Sequence, residues 1–242
     1  MTRTVLIVIG AIVCVAPGVA CGGGDDGRGS VDDTAGEITS DELSRMMLTL
    51  EDFGPDFAAF GADPKNGAQD LQTMSEQDFD PAGERADLEA AGFAAGYRNL
   101  YQQPETSGIF FAGDSVTLFA TKEGAANYVA DSRKELTEYL GKTIGELTIK
   151  SSTPFDVEVA DGAAAANQEI DVIADDGSTV TLWYTAVLFR RGRLAGVVAI
   201  SGISLREAER RRLQDKVEAL ASTMNERMSS VLAGTAPAAA VP

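Results

Sequence analysis

Gln168–Ser201, QEIDVIADDGSTVTLWYTAVLFRRGRLAGVVAIS, is the stretch whose reading decides the fold. Its apolar residues fall in three runs, Gln168 to Ala174, Val180 to Phe189 and Leu194 to Ser201, separated by Asp175-Asp176-Gly177 and by Arg191-Gly192. Short runs rich in β-branched and aromatic residues, joined by Gly-bearing turns, read as an antiparallel meander. In the middle run Leu182, Tyr184, Ala186 and Leu188 alternate with Trp183, Val187 and Phe189, so both sides of the strand are apolar. Such a strand must be covered on both faces. Either helices pack on each side, or one side of the sheet lines a closed apolar cavity.

Working toward the amino terminus, Phe155, Val157 and Val159 alternate with Asp156 and Glu158 and predict one more half-buried strand. Phe93 to Tyr101, Ile109 to Ala112 and Ser115 to Ala120 predict three others, with Gly113-Asp114 as a turn between the last two. Thr121 is placed to cap a helix carrying Ala125, Tyr128, Ser132, Leu136 and Tyr139 at helical spacing, stopped by Gly141. Asp80-Pro81 opens a short helix ending before Gly92, and Gly61 to Gly83 reads mainly as loop. Thr39 and Glu42 form a capping box for a first helix with Leu43, Met46, Met47 and Leu50 on one side. Beyond the meander, Ser204 and Glu207 suggest a second capping box, and Leu213, Val217, Leu220, Met224, Met228 and Val231 form the stripe of a long amphipathic helix ended by Gly234. The class expected is α+β: a largely antiparallel sheet packed by helices, in one domain over residues 39–234.

Composition restricts the chemistry. The 242 residues include 37 acidic and 20 basic ones, no histidine and two cysteines, for a formal charge of −17. Cys14 lies in an apolar leader and Cys21 at its exit, so residues 39–234 carry no thiol. Ser-His-Asp and Cys-His systems, His-ligated zinc and the H-E-x-x-H motif are all excluded. No lysine follows a serine by three residues, and G-x-S-x-G is missing. Asp175-Asp176-Gly177 lacks the spacing and distal Glu of a calcium loop. A two-carboxylate hydrolase stays formally open, but no pair is indicated, so we expect no enzyme activity, no cofactor and no metal. The negative charge disfavours nucleic acid as a partner.

Seven basic residues, Arg190, Arg191, Arg193, Arg206, Arg210, Arg211 and Arg212, are concentrated beside the last turn and at the start of the last helix. Arg206, Arg210 and Arg211 form the candidate anion-facing patch. The plainer expectation is that Glu207 pairs with Arg211 at helical spacing and the others solvate a face.

The amino terminus has one early charge, Arg3, an apolar run from Val5 to Ala16, and the exit Gly18-Val19-Ala20-Cys21. This reads as a signal peptide over residues 1–20 with cleavage between Ala20 and Cys21. Val19-Ala20-Cys21 resembles the bacterial lipobox, which implies that Cys21 is alkylated with diacylglycerol and anchors the chain to the outer face of the cell membrane. Gly18 stands where that family most often has Leu, and Gly18-x-Ala20 also suits an ordinary signal peptidase, so secretion without lipid stays open. An uncleaved anchor is disfavoured by the shortness of the run. Residues 21–38 are Gly- and Asp-rich and read as a tether spanning about 20 to 25 Å. Residues 235–242 are Ala- and Pro-rich and read as a disordered tail.

Ser115-Val116-Thr117-Leu118-Phe119 leading into Glu123-Gly124-Ala125, with the closing strand-strand-helix unit, is similar to uncharacterised actinobacterial and Chloroflexi-type lipoproteins whose shape is that of PsbP-like or receptor-kinase sensor domains. That resemblance implies a non-enzymatic domain and transfers no site. The function expected is a lipid-anchored extracytoplasmic binding or sensing module, recognising an envelope protein, a polymer or an apolar small molecule. The alternative is a carrier of lipid or another apolar ligand, similar in logic to mycobacterial lipid-transfer lipoproteins, motivated by the two-sided strand around Trp183.

Overall fold

The computed structural model describes residues 38–76, 81–103, 108–138, 140–144, 147–174 and 177–234. The signal peptide, Ala20, Cys21, nearly all of the tether and the tail therefore lie outside the described residues, as do Tyr139 and the Asp175-Asp176 pair.

The meander forms as expected. β7 (Ala163–Ile173), β8 (Thr179–Arg191) and β9 (Leu194–Ile203) pair antiparallel in continuous register, with Val187 opposite Ala165 on one side and Val198 on the other. The meander extends outward through β6 (Leu147–Pro154) and β5 (Thr143–Ile144). On its other side β9 pairs with β4 (Gly108–Phe119), and β4 with β3 (Phe93–Gln102), whose far edge takes the short strands β1 (Gly61–Ala62) and β2 (Gly67–Gln69). The result is a nine-stranded sheet with every pairing antiparallel.

Both faces are covered. On the first, the helix pair α1 (Ser40–Met46) and α6 (Glu207–Leu232) packs over Trp183, Val187, Phe189, Val198 and Ile200. The apolar stripe of α6, from Leu213 through Val231, is buried at every position. Phe53 of α2 (Leu50–Phe53) and Phe57 of the 3-10 turn Pro55–Phe57 complete this layer, fully buried and with rings 5.6 Å apart. On the second face, α4 (Pro81–Ala90) and α5 (Lys122–Glu138) bring Leu88, Ala125, Tyr128 and Val129 onto Phe119, Leu188, Ala195 and Val197, with α3 (Leu71–Ser75) beside them. Leu182 and Tyr184 belong to an apolar cluster further along this second face, so β8 is buried on both sides. Burying an aromatic or branched side chain contributes about 1.5–3 kcal/mol, which is why this two-sided pattern determines the layering.

Four local expectations are corrected. Gly113-Asp114 is no turn: β4 runs through it unbroken, because Asp114 has a buried partner in the α1–α2 connection. Phe155 to Val159 is not a strand. Phe155, Val157 and Val159 pack on the first-face core from a connection whose backbone makes one sheet-like bond, Phe155 N–H to Ala165 O at 3.1 Å. The last helix begins after Arg206, since Leu205 is buried against the first-face core and Ser204 adopts a left-handed φ of 56° to place it there. Glu209, rather than Glu207, accepts the Arg206 N–H at 2.8 Å. Gly61 to Gly83 holds β1, β2 and α3 in addition to loop.

Candidate functional site

Alternation along β3 puts Gly96, Arg98 and Leu100 on the second face of the sheet, while Tyr97, Asn99 and Tyr101 turn toward α1. Strand register carries that face across the sheet in rows. One row runs Leu100, Gly113, Ala199, Ala186, Ala166, and its neighbour runs Arg98, Ser115, Val197, Leu188, Ala164. Four successive small residues leave a shallow floor between the larger side chains on either side. A Cβ at Gly113 would lie 2.5 Å from Leu100 Cδ2 and 2.8 Å from the Asn99 carbonyl oxygen, so glycine is required there.

Helices α3, α4 and α5 roof this floor without filling it. A cavity with about 40 Å³ of room for water centres lies over Gly113 and Ala199, and a second of about 30 Å³ lies over Ala186 and Ala166; Tyr184 and Val197 border both. The first has the more pointed chemistry. Arg98 lines it and is 3% exposed. Its Nη2 donates to the Lys65 carbonyl oxygen at 3.1 Å and sits 4.0 Å from Asp63 Oδ1, while Nε has no partner among the described residues. Burial pulls the Arg98 pKa down, and Asp63 pushes it back up. Ser115 and Thr117, both buried, line the same cavity. From the roof, Glu84, 5% exposed, faces the cavity and accepts the Tyr128 hydroxyl at 3.1 Å. In the second cavity Gln168, 3% exposed, has an unpartnered Oε1 and donates weakly to Ser152 Oγ at 3.4 Å.

A buried cation with an unmet donor, beside two hydroxyls and a carboxyl group around one small space, can hold a polar molecule. Buried polar groups are ordinarily satisfied, so such a cluster calls for an occupant. Among the described residues no group of His, Cys, Asp and Glu is placed to hold a metal ion.

A second buried polar cluster occupies the opposite face of β4. Asp114 Oδ2 accepts the Leu48 N–H at 2.8 Å, and the Leu48 carbonyl takes Asn99 Nδ2 at 3.1 Å. Arg227 of α6 reaches the Met47 carbonyl at 2.5 Å and Asp52 Oδ1 at 2.7 Å. Burial drives the Asp114 pKa well up; the Leu48 N–H and Arg227 oppose the rise, and Asp52 adds to it. This cluster ties the α1–α2 connection to the sheet centre and to α6.

The arginines singled out in the sequence are engaged individually. Arg206 meets Glu209 at 3.0 Å, Arg210 meets Glu169 at 2.7 Å, and Arg211 meets Glu207 at 3.1 Å, the pairing expected from helical spacing. Arg212 meets Asp56 at 3.2 Å and Arg190 meets Asp161 at 3.7 Å. Arg191 donates to Asn225 at 2.6 Å. Asn225 lies fifteen residues beyond Arg210 on α6, about 22 Å along the axis, so the structure does not bring the two groups together. Arg98, Glu84, Ser115 and Thr117 were not singled out by sequence reasoning. The available signal was a cation between Gly96 and Leu100 on one side of a strand.

A wider groove of about 620 Å³ lies beside the start of β7 among Leu136, Phe155, Val157, Asp156 and Glu158. Arg133 joins the two acids on its otherwise apolar walls.

No protein-family model matches the chain, and no curated protein sequence matches it. Among solved structures, the extracellular domain of PknH from Mycobacterium tuberculosis is similar at 10% identity and a TM-score of 0.47, over 78% of this chain and 97% of that one. A protein of unknown function from Pseudomonas aeruginosa is similar at 14% identity and a TM-score of 0.29, over 52% of this chain and 80% of that one. At these scores neither likeness fixes the fold or the function of this chain.

Proposed function

We propose that the chain is a lipid-anchored, extracytoplasmic sensing module whose binding site is the cavity bounded by Arg98, Glu84, Ser115 and Thr117. The observation that carries the binding role is the buried Arg98 guanidinium with its Nε donor unmet in that space. Leaving a buried charged group short of hydrogen bonds costs more than the usual 1–3 kcal/mol of an unsatisfied polar group, and a bound molecule would return that energy. The location rests on the leader and on Val19-Ala20-Cys21. Among the described residues no helix is long and apolar enough to cross a membrane, so on this reading the diacylglyceryl group on Cys21 does the anchoring.

The carrier reading is less well supported. The two cavities over the sheet, about 40 and 30 Å³, are small beside the ~300 Å³ of the smallest ordinary ligand pockets, the groove of about 620 Å³ has Arg133, Asp156 and Glu158 on its walls, and the two-sided strand around Trp183 is covered by side chains on each face.

The test is fractionation of a bacterial host expressing the full chain and its Cys21→Ala variant. The wild type is expected with membranes and the variant in the soluble envelope or medium. Membrane retention of the variant, or a freely soluble wild type, overturns the anchor.

A further inference from the structure

Resting on the reading that this cavity is the binding site, we infer that its ligand is a small uncharged carbonyl compound, one acceptor oxygen on an apolar body, as in a short-chain ketone.

The acceptor follows from the one donor left open. Arg98 is 3% exposed; its Nη2 donates to the Lys65 carbonyl oxygen at 3.1 Å, and its Nε makes no bond. A carboxylate is gripped best by two parallel N–H bonds from one guanidinium, whereas a carbonyl oxygen is served by a single donor. Room and lining set the body. A water needs roughly 10–15 Å³ of room for its centre, so about 40 Å³ corresponds to about three waters, or about four to six heavy atoms of ligand. Leu100, Phe111, Gly113, Val197 and Ala199 line that space, so the atoms behind the oxygen lie against apolar walls.

Neutrality follows from the charges already in place. Asp63 Oδ1 lies 4.0 Å from Arg98 Nη2, on a side chain 13% exposed. Asp63 is fixed there by the Lys65 N–H at 2.7 Å and by Gln102 Nε2 at 3.1 Å, and it holds the Arg98 pKa up against burial. Arg98 therefore lacks a hydrogen-bond acceptor at Nε while its counter-charge is present. A second anion would be buried without a cation of its own, and it would share the space with the Glu84 carboxyl group. Burying an unpaired charge costs far more than burying a hydrogen-bonded neutral group. A cation would be repelled by the guanidinium. An uncharged ligand completes Nε and leaves Glu84 with the contacts it has, the Tyr128 hydroxyl at 3.1 Å among them.

The experiment titrates the purified full chain, labelled with nitrogen-15 and held in detergent micelles at neutral pH, with acetone, butanone, acetate, isopropylammonium and acetophenone, and follows the Arg98 Nε–H resonance. A ligand the size of acetone binds no tighter than roughly 40 µM, so the titration extends into the millimolar range. Acetone and butanone should shift the resonance saturably. Acetate and isopropylammonium, close to acetone in shape but charged, should bind at least about tenfold more weakly, and acetophenone should be excluded by size. Ala199→Val, which narrows the cavity and leaves every polar group in place, should abolish the response; acetophenone reads the same size limit in the wild type should that variant fail to fold. Acetate binding as tightly as acetone would overturn the uncharged ligand and leave the cavity as the binding site. A resonance unmoved by every probe, or a response unchanged in Ala199→Val, would overturn the cavity as the site and the ligand with it. The anchored-module reading fails separately, through membrane retention of Cys21→Ala.

Discussion

Replacing Asp114 with asparagine should make the protein more stable at neutral pH, against the usual result of altering a buried polar residue. Asp114 is 2% exposed, accepts one hydrogen bond from Leu48 N–H, and has no partner for Oδ1 among the described residues. Arg227, the cation that lowers its pKa, donates to Met47 and Asp52 instead. Burial dominates, so the folded-state pKa lies well above the ordinary 3.8. The folded chain thus holds a proton that the unfolded chain releases, and the contribution of this group to stability is greatest at low pH. It falls by about 1.4 kcal/mol per pH unit as pH rises from the unfolded value to the folded one, then levels off. Asparagine is nearly isosteric with the protonated acid and does not titrate. The gain of Asp114→Asn over wild type should be near zero below about pH 4 and grow by about 1.4 kcal/mol per unit above it. In thermal midpoint that is about 3–6 °C per unit for a domain of this size. Asp114→Ala does not titrate either, so it should run parallel to Asp114→Asn and about 1–3 kcal/mol below it at every pH, because the Leu48 N–H is left unmet. Urea midpoints of the three proteins from pH 4 to pH 8 decide the matter. If the difference between Asp114→Asn and wild type is flat with pH, Asp114 is ionised in the fold and burial does not control its titration.

Two further outcomes are expected. Gly124→Ala would place a Cβ 2.0 Å from the Ala91 carbonyl oxygen where the first turn of α5 packs against the end of α4, and should cost about 1–3 kcal/mol as an overpacking change; an unchanged urea midpoint would show that the two helices separate freely. Glu209 accepts from the Arg206 guanidinium and backbone, which holds its pKa down to about 2, so carbon-13 titration of its carboxyl should show a midpoint far below the usual glutamate value, and one between 4 and 5 would refute the pairing. A depressed folded pKa means that this contribution is present above the unfolded pKa and is lost as pH falls toward 2.

The two-sided run around Trp183 made the layering legible in the sequence, since a strand apolar at both parities can only lie inside two covers. The stripe of α6 was legible for the same kind of reason. What stayed hidden depended on partners far away in the chain. Gly113-Asp114 has the composition of a turn and becomes mid-strand because Leu48, 66 residues earlier, gives the buried acid a hydrogen-bond partner. Phe155 to Val159 has strand alternation but no free neighbour beyond one bond to Ala165, so its apolar residues pack without pairing. The helix start moved because burial of Leu205 outweighed the capping preference of Ser204. The cavity was least legible. Its floor is assembled by register from residues on four strands, and no single segment holds more than two of Arg98, Glu84, Ser115 and Thr117.

The pairing of β4 with β9 has a kinetic consequence. Every other pairing among β3 to β9 joins strands adjacent in sequence, whereas β4 and β9 bring Gly108 opposite Ile203 across the whole span between them. Long-range closure is slow because chain entropy is lost before the contact is made. The meander β5 to β9 should therefore form early as a local unit, with the β4 seam and the return of α6 onto α1 following. Gly113 and Ala199, which floor the cavity, face each other across that seam. The binding space would come into being at the last docking event, and occupancy would then slow unfolding by holding the seam shut while leaving the folding rate nearly unchanged.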